Sequence, residues 1–383
     1  MRLIHIVAAY KPAYIYGGPT MSVSKLCEAL VEDQVQLKVF TTTANGKEEL
    51  NVSPNQQSTV DGVPVTYFKR LTKDHTHFSP ALLIALRKEI KEQNNPLIIH
   101  IHAWWNLVSI FSCIIAKWYN IPVILSPRGM LTDYTTGNRN ASMKNLIHKV
   151  IGKNLLKYCH IHATSEQEKQ DVLRFIQPKS ITIIPNLVNL PSHEESKTEK
   201  LKPQPENPFQ LIFLSRIEEK KGLELLFESL VDLPFNWELI IAGTGEERYV
   251  ESLKDKAEYL KINIHIKWLG HVANDDKFQL IAENDLLILT SYNENFANVV
   301  IESLSVGTPV LISDQVGLAD YVEINELGWT TDLSIDKITS KIQEAYDDIN
   351  KRLLIRDKAP DIIYANYNTE ILAARYLNLY HSI

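Results

Sequence analysis

Residues 285–310 read DLLILTSYNENFANVVIESLSVGTPV, and the reading of this stretch decides the fold. DLLILT (285–290) is short and rich in Leu and Ile, the composition of a strand buried on both faces of a parallel sheet. Val299, Val300, Ile301, Leu304 and Val306 follow at mixed helical spacing until Gly307 and Pro309, which stop a helix. Strand, loop and helix in that order put a helix N-terminus at the carboxyl end of a parallel strand. Backbone N–H groups and the helix dipole make that position a seat for phosphate. Glu294 precedes the helix and Glu302 lies a turn or so inside it. Carboxylates beside a phosphate repel it, so their use there is to accept hydrogen bonds from hydroxyls. Phosphates and many hydroxyls together describe a nucleotide sugar.

Outward from this stretch, apolar strand-like runs alternate with helix-like ones along both halves of the chain, the pattern of parallel α/β sheets. The first half offers LIHIVA (3–8), QLKVFT (36–41), VPVTYF (63–68), LIIHIH (97–102), PVILS (122–126) and ITIIP (181–185). The second offers QLIFLS (210–215), ELIIAG (238–243), IHIKWLG (264–270), DLLILT and PVLIS (309–313). The stretch 188–208, with Pro191, Pro203, Pro205 and Pro208 among charged residues, has the composition of a linker. The expected organisation is a first domain over 1–187 and a second over 209–366. The amphipathic helix at the end, within 367–383, either belongs to the second domain or packs back on the first. Two such α/β domains place a ligand cleft between the carboxyl ends of their sheets.

Length and composition agree with this. At 383 residues two domains are the default, and 45% hydrophobic with 22% charged residues is ordinary for a globular protein. A net charge of −6 argues against nucleic acid as the main partner. Cys27, Cys113 and Cys159 are scattered and read as free thiols in a reducing compartment, which points to the cytoplasm. The opening RLIHIVAAY is too short for a secretory signal, and Leu107 to Ala116 is about half of what a membrane-spanning helix needs.

Ordered motifs give the chain a resemblance over nearly its whole length. They are YGGP (16–19), SPRGML (126–131), HATSE (162–166), IPN (184–186), SRIEEKKG (215–222), AGTGEE (242–247), LGHV (269–272) and ENFANVVIESLSVGTPV (294–310). With them the chain resembles the retaining GT-B glycosyltransferases of family four, the group 1 glycosyltransferases. SPRGML further resembles the bacterial branch that builds lipopolysaccharide, capsule and other surface polysaccharides. The resemblance implies two Rossmann-like domains facing each other across a cleft. It also implies a UDP- or GDP-linked sugar as donor substrate, no separate cofactor, and a glycan or lipid-linked glycan as acceptor.

The candidate site residues follow. Arg216 and Lys221 lie between the strand QLIFLS and the helix after Gly222, where two cations five residues apart can reach one diphosphate. Spacing alone does not separate this from a solvated charge pair; the resemblance assigns both to the donor diphosphate. Charge-assisted bonds of about 1.5–3 kcal/mol make the loss of either worth about tenfold to a hundredfold in rate. Gly17 and Gly18 precede a helix beginning near Pro19 or Thr20 and let a ligand approach the backbone. Gly243 and Gly245 either line the donor or cap a turn. By resemblance Gly270 and His271 meet the nucleotide base, Glu302 the ribose hydroxyls and Glu294 the transferred sugar. The backbone at Phe296, Ala297, Asn298 and Val299 completes the donor pocket. Trp268 reads as core.

His100 and His102 alternate along one strand and so face the same side. With no third ligand in view, a metal site is not expected. Relatives carry a functional histidine after the strand that here is PVILS, and this chain has Arg128 instead. Arg128 or His102 takes that role, with Arg128 ranked first. No general base and no DxD-type metal motif stands out, and Asp275-Asp276 is read as a helix start remote from the donor loops. Metal-independent transfer, with a donor phosphate oxygen accepting the acceptor proton, is therefore expected. Residues 139–157 combine Arg139, Lys144, Lys149, Lys153 and Lys157 with an apolar stripe. That pattern suits an ordinary surface helix, or one lying on an anionic membrane at the inner face of the cytoplasmic membrane. The expected function is transfer of a sugar to a growing surface glycan. The alternatives are a GT-B enzyme of soluble carbohydrate metabolism and a non-catalytic sugar-nucleotide sensor.

Overall fold

The computed structural model describes residues 1–92, 95–132, 152–191 and 207–383. Most of the expected linker (192–206) and positions 139–151 of the basic stretch lie outside the described residues. The chain divides into two compact units, Met1–Val188 with Thr369–Ile383, and Asn189–Asn368.

The first unit is built on an eight-stranded sheet. Its strands are β1 (Arg2–Ile6), β2 (Gln36–Thr42), β5 (Gln57–Val60), β6 (Val63–Phe68), β7 (Leu97–His102), β8 (Val123–Ser126), β9 (His160–Ala163) and β10 (Ser180–Ile183), with a small hairpin of β3 (Ala44–Asn45) and β4 (Glu48–Glu49) apart from it. The order is β10-β9-β8-β7-β1-β2-β6-β5, parallel except for β5. The second unit carries β11 (Phe209–Leu214), β12 (Trp237–Ala242), β13 (Ile266–Gly270), β14 (Leu286–Leu289), β15 (Val310–Ser313) and β16 (Gly328–Thr331), all parallel, in the order β13-β12-β11-β14-β15-β16. Counted from β11 this is the Rossmann order 3-2-1-4-5-6. In both sheets the order reverses at the first strand, between β1 and β7 and between β11 and β14. At such a reversal the loops leaving neighbouring strands turn to opposite faces and open a crevice at the carboxyl ends.

Every apolar run singled out in the sequence forms a strand within about two residues. β5, β9, β16 and the β3–β4 hairpin were not among them. Gln57–Val60 is a mostly exposed antiparallel edge and HIHA is half histidine, so neither shows a hydrophobic run.

Parity along the strands sorts the first sheet into two chemistries. Ile4, Ile6, Ile99, Ile101, Val123, Leu125 and Ile161 belong to one apolar core, with Val108 and Cys113 of the helix Leu107–Trp118 packed over it. The residues between them are His5, His100, His102, Ser126 and His162. Register aligns these across neighbouring strands, His5 with His100 and His102 with Ser126. The helix Thr369–His381 covers them with Tyr376 and Tyr380, both buried. No helix among the described residues is long and apolar enough to cross a membrane.

Candidate active site

At the reversal of the second sheet, the loop after β11 carries Arg216 and Lys221 and the loop after β14 carries Glu294. Lys221 Nζ pairs with Glu294 Oε2, the lysine side chain being 7% exposed and the carboxylate 19%. Burial would raise the Glu294 pKa, but the charge of Lys221, with Lys220 and Arg216 behind it, holds the carboxyl below its ordinary value. Burial in turn lowers the Lys221 pKa against the pull of Glu294. Arg216 lies at the rim, partly exposed, with Nη1 2.7 Å from Glu218 Oε1.

The two loops are joined through their backbones. Tyr292 N donates to Lys220 O at 2.8 Å, and Thr290 Oγ1 donates to Gly222 O at 2.9 Å. Gly222 has φ +68°, and a Cβ there would stand 2.2 Å from Thr290 O. Glu294 is pinned from the other side, its N–H donating to Gln315 O at 3.1 Å and its carbonyl accepting from Gly317 N at 2.8 Å.

Ala297, at the head of the helix Asn298–Ser305, has φ +62°. A left-handed alanine costs about 1–2 kcal/mol, and such strain clusters at ligand sites. The Phe296 ring is buried against Tyr367, so this residue can offer a ligand its backbone only. Val299 is partly buried in the same first turn. Glu302, one turn on, is buried and accepts from Lys277 Nζ at 2.8 Å. Lys277 belongs to the helix Asn274–Ala282, so the helix that begins at the Asp275-Asp276 pair is a neighbour of the donor helix and not remote from it.

The glycines divide by surroundings. A Cβ at Gly243 would meet Ser215 O at 1.8 Å and one at Gly245 would meet Ile217 O at 2.2 Å. Their missing side chains therefore let the loop after β12 dock on the loop that carries Arg216. Gly270 (φ +70°) faces open space at the end of β13, beside the exposed His271. Trp268 packs edge-on to Phe227, in keeping with a core role. In the first unit Gly17 (φ 62°, ψ −133°) precedes the helix Gly18–Glu32, which starts one or two residues earlier than its sequence suggests.

The reversal of the first sheet carries the second cluster. His102 is 1% exposed, and Arg128, partly buried with φ +55° after β8, reaches its Nδ1 with Nη2 at 3.4 Å. The expectation of no third histidine is overturned. His5 Nδ1 lies 3.0 Å from His102 Nε2, and His5, His100 and His102 offer nitrogens within 4.8 Å of one another. Strand register, which sequence spacing does not reveal, brings His5 there.

The triad is nonetheless a poor cation seat. The Arg128 charge adjoins it, and both His100 nitrogens are engaged, Nδ1 with Tyr380 Oη at 2.8 Å and Nε2 with Ser126 Oγ at 2.7 Å. Burial, then the field of Arg128, holds His5 down to about 3. Burial first, and Arg128 after it, likewise hold His162 at about 3, although its bond to Ile184 O opposes this. His100 and His102 are pushed well below their ordinary value, chiefly by burial. All four rings are neutral.

With this geometry in view, known proteins place the chain. The model for group 1 glycosyl transferases matches residues 194–361, and the glycosyltransferase family 4 model matches 16–191. The structure of Anabaena HepE in complex with UDP and glucose superposes over 100% of both chains, with a TM-score of 0.76 and 18% identity. The chain is a GT-B glycosyltransferase. An uncharacterized glycosyltransferase of Methanocaldococcus jannaschii is 23% identical to it over 99% of this chain and 98% of its own length. The N,N'-diacetylbacillosaminyl-diphospho-undecaprenol α-1,3-N-acetylgalactosaminyltransferase of Campylobacter jejuni is 24% identical over 71% and 74% of the two chains. A glycogen synthase of Mycobacterium tuberculosis is 21% identical over 86% and 81%.

Two predictions follow from the packing of this GT-B enzyme. Gly222→Ala must force a left-handed alanine against Thr290 O. We expect it to lower the stability of the second unit by at least about 2 kcal/mol in urea unfolding; an unchanged midpoint would contradict the close approach. The buried histidines set the acid response. Their folded pKa values are depressed, so their contribution is fully present above the ordinary histidine value near 6.5 and is lost as pH falls from there toward about 3. Between pH 7.5 and 5.5 the unfolding free energy should fall by about 1 kcal/mol for each of the four rings, and a flat profile would mean that the rings are not held neutral.

Proposed function

We propose that this glycosyltransferase moves a hexose or related sugar from a UDP- or GDP-linked donor to a lipid-linked glycan acceptor in bacterial surface-polysaccharide assembly, keeping the anomeric configuration. The observation that carries the reading is the buried Lys221–Glu294 pair at the reversal of the second sheet, with Arg216 beside it. A cation already desolvated and oriented by a carboxylate is prepared for a diphosphate, and a carboxylate fixed at both backbone ends is prepared for sugar hydroxyls.

In this reading Lys221 and Arg216 hold the donor diphosphate and stabilise it as it leaves. Glu294 accepts from the transferred sugar and Glu302 from the ribose. The backbone of 296–299 seats the phosphates and Gly270 and His271 adjoin the base, while Gly17 and Gly18 keep the donor-binding role that the resemblance gives them. Gly243 and Gly245 contribute by supporting the Arg216 loop. The acceptor attacks on the face the diphosphate is leaving, through an oxocarbenium-like state, and a donor phosphate oxygen takes its proton, so no protein nucleophile or metal is required. Arg128, with His102 beneath it, provides the first unit's contact to substrate. The name of the Campylobacter relative, with its diphospho-undecaprenol acceptor, favours a lipid-linked acceptor. The glycogen synthase likeness favours the second reading, a soluble glucan acceptor.

Incubation of the enzyme with UDP- and GDP-sugars, and with either membrane extract or free sugars, separates the two. We expect sugar to enter the lipid fraction, in EDTA as without it, and Glu294→Ala to lower kcat by about a hundredfold. Transfer only to free sugars would favour the second reading, and full transfer by the variant would refute the sugar pocket. The basic stretch 139–157 would hold the enzyme to the inner face of the membrane. In its described part Lys153 and Lys157 are exposed while Leu155 and Leu156 are buried. Flotation should therefore show binding to anionic vesicles and not to neutral ones; equal binding to both would remove the membrane role.

A further inference from the structure

In the first unit, charge fails to balance at Arg128. Nη1 donates to Ser22 Oγ at 2.9 Å and to Asn186 Oδ1 at 2.6 Å, and Nη2 points to His102 Nδ1 at 3.4 Å. All three acceptors are neutral. Nε is buried and has no partner, and among the described residues no carboxylate lies within ion-pair distance of this guanidinium. Glu168 is close enough for its field to be felt. Its oxygens, however, accept from Gly129 N at 2.8 Å, Thr164 N at 2.7 Å and Thr164 Oγ1 at 2.9 Å. It therefore fastens the backbone next to Arg128 and leaves the cation unanswered. Of the other buried arginines among the described residues, two have a carboxylate, and Arg352 has only the carbonyls of Ala345 and Tyr346 at a helix end. Arg70 meets Glu49 at 2.7 Å and Arg356 meets Asp285 at 3.5 Å.

The rings behind Arg128 share a proton arrangement that follows from their partners. His162 Nε2 faces Ile184 O at 2.8 Å and must donate there, so its Nδ1 accepts from Ser126 Oγ at 2.6 Å. Ser126 then accepts from His100 Nε2, and His100 Nδ1 accepts from Tyr380 Oη. Because a guanidinium only donates, His102 Nδ1 accepts from Arg128, and His102 Nε2 donates to His5 Nδ1. The array is neutral throughout and presents Arg128 with an acceptor. It adds no counter-charge.

We propose that Arg128 is the binding group for an oxyanion, a phosphate or carboxylate of a substrate, drawn by a guanidinium charge that no carboxylate of the protein answers. Ser22, Asn186 and His102 are positioning residues that hold the fork for it. A guanidinium keeps its charge and only donates, which suits either oxyanion. The inference deepens the glycosyl-transfer reading, since it makes one substrate anionic where it meets the first unit.

The test uses the full chain with Arg216→Gln and Lys221→Gln, which silence the donor cations, and titrates inorganic phosphate and glucuronate separately by calorimetry. We expect one of the two to bind and Arg128→Gln to weaken it at least tenfold. Phosphate alone binding would identify a phosphorylated substrate, and glucuronate alone an acidic sugar. Binding of neither, or equal binding after Arg128→Gln, would overturn the proposal. Should that variant fail to fold, ring ¹⁵N spectra of the parent decide: the anion must shift the His102 Nδ1 resonance, and an unmoved resonance at saturation counts against the site. UDP and GDP binding by the wild-type chain is measured alongside. Loss of the anion site with nucleotide binding intact would sink this inference alone, and absence of both UDP and GDP binding, measured on that same wild-type chain, would sink the glycosyl-transfer reading.

Discussion

The structure depends on a constraint of parallel sheets: side chains alternate faces along each strand, and strand order reverses beside the first strand. Alternation decides which residues of a strand meet residues of the next, and the reversal decides where loops part to leave room for a ligand. In the second unit the reversal lies between β11 and β14, and the two loops leaving them carry Lys221 and Glu294. Gly222 matters because those loops must nearly touch, with the Thr290 carbonyl standing where a side chain would begin. In the first unit the same rules gather His5, His100, His102, Ser126 and His162 on one face, although they come from four strands.

Two sites, one in each unit, solve the burial of charge in opposite ways. The second unit pairs two of its buried cations with carboxylates, Lys221 with Glu294 and Lys277 with Glu302. Such pairs hold the geometry of both groups in the fold itself. At Arg128 the first unit surrounds a cation with neutral acceptors and with rings that burial keeps uncharged. Removing one partner from a buried pair leaves a charge that folding alone does not leave. At Arg128 the fold itself maintains that condition.

The sequence made the strands legible because a strand buried on both faces must be an apolar run, and such runs survive without context. Glu294 and Glu302 stood out by their place around a strand, loop and helix, whereas Arg216 and Lys221 were singled out by the resemblance, since the spacing of charges in 215–222 does not separate them from a solvated pair. HIHA at 160–163 was missed because its alternate residues belong to the polar network, which breaks the hydrophobic signal. His5 was hidden inside LIHIVA for the same reason: one polar residue in a strand looks incidental until its register partner, His100, is known. Lys277 stands next to two aspartates that drew attention to metal binding, and only helix packing shows that it serves Glu302.

The tyrosines of the last helix show why the rest could not be read from spacing. Tyr380 reaches His100 from 280 residues away and Tyr376 reaches His162 from 214. Each hydroxyl completes a hydrogen bond in an array whose other members come from the sheet. Without Tyr380, the His100 Nδ1 acceptor would be left buried and unmet, at a cost of about 1–3 kcal/mol. The helix Thr369–His381 is therefore more than an apolar lid on the first unit. The Ile184 carbonyl makes His162 Nε2 a donor, Ser126 carries that constraint to His100, and Tyr380 of this helix meets the acceptor that results. A network set from one fixed carbonyl has one proton arrangement, and in that arrangement His100, Ser126 and His162 stay neutral beside the Arg128 cation.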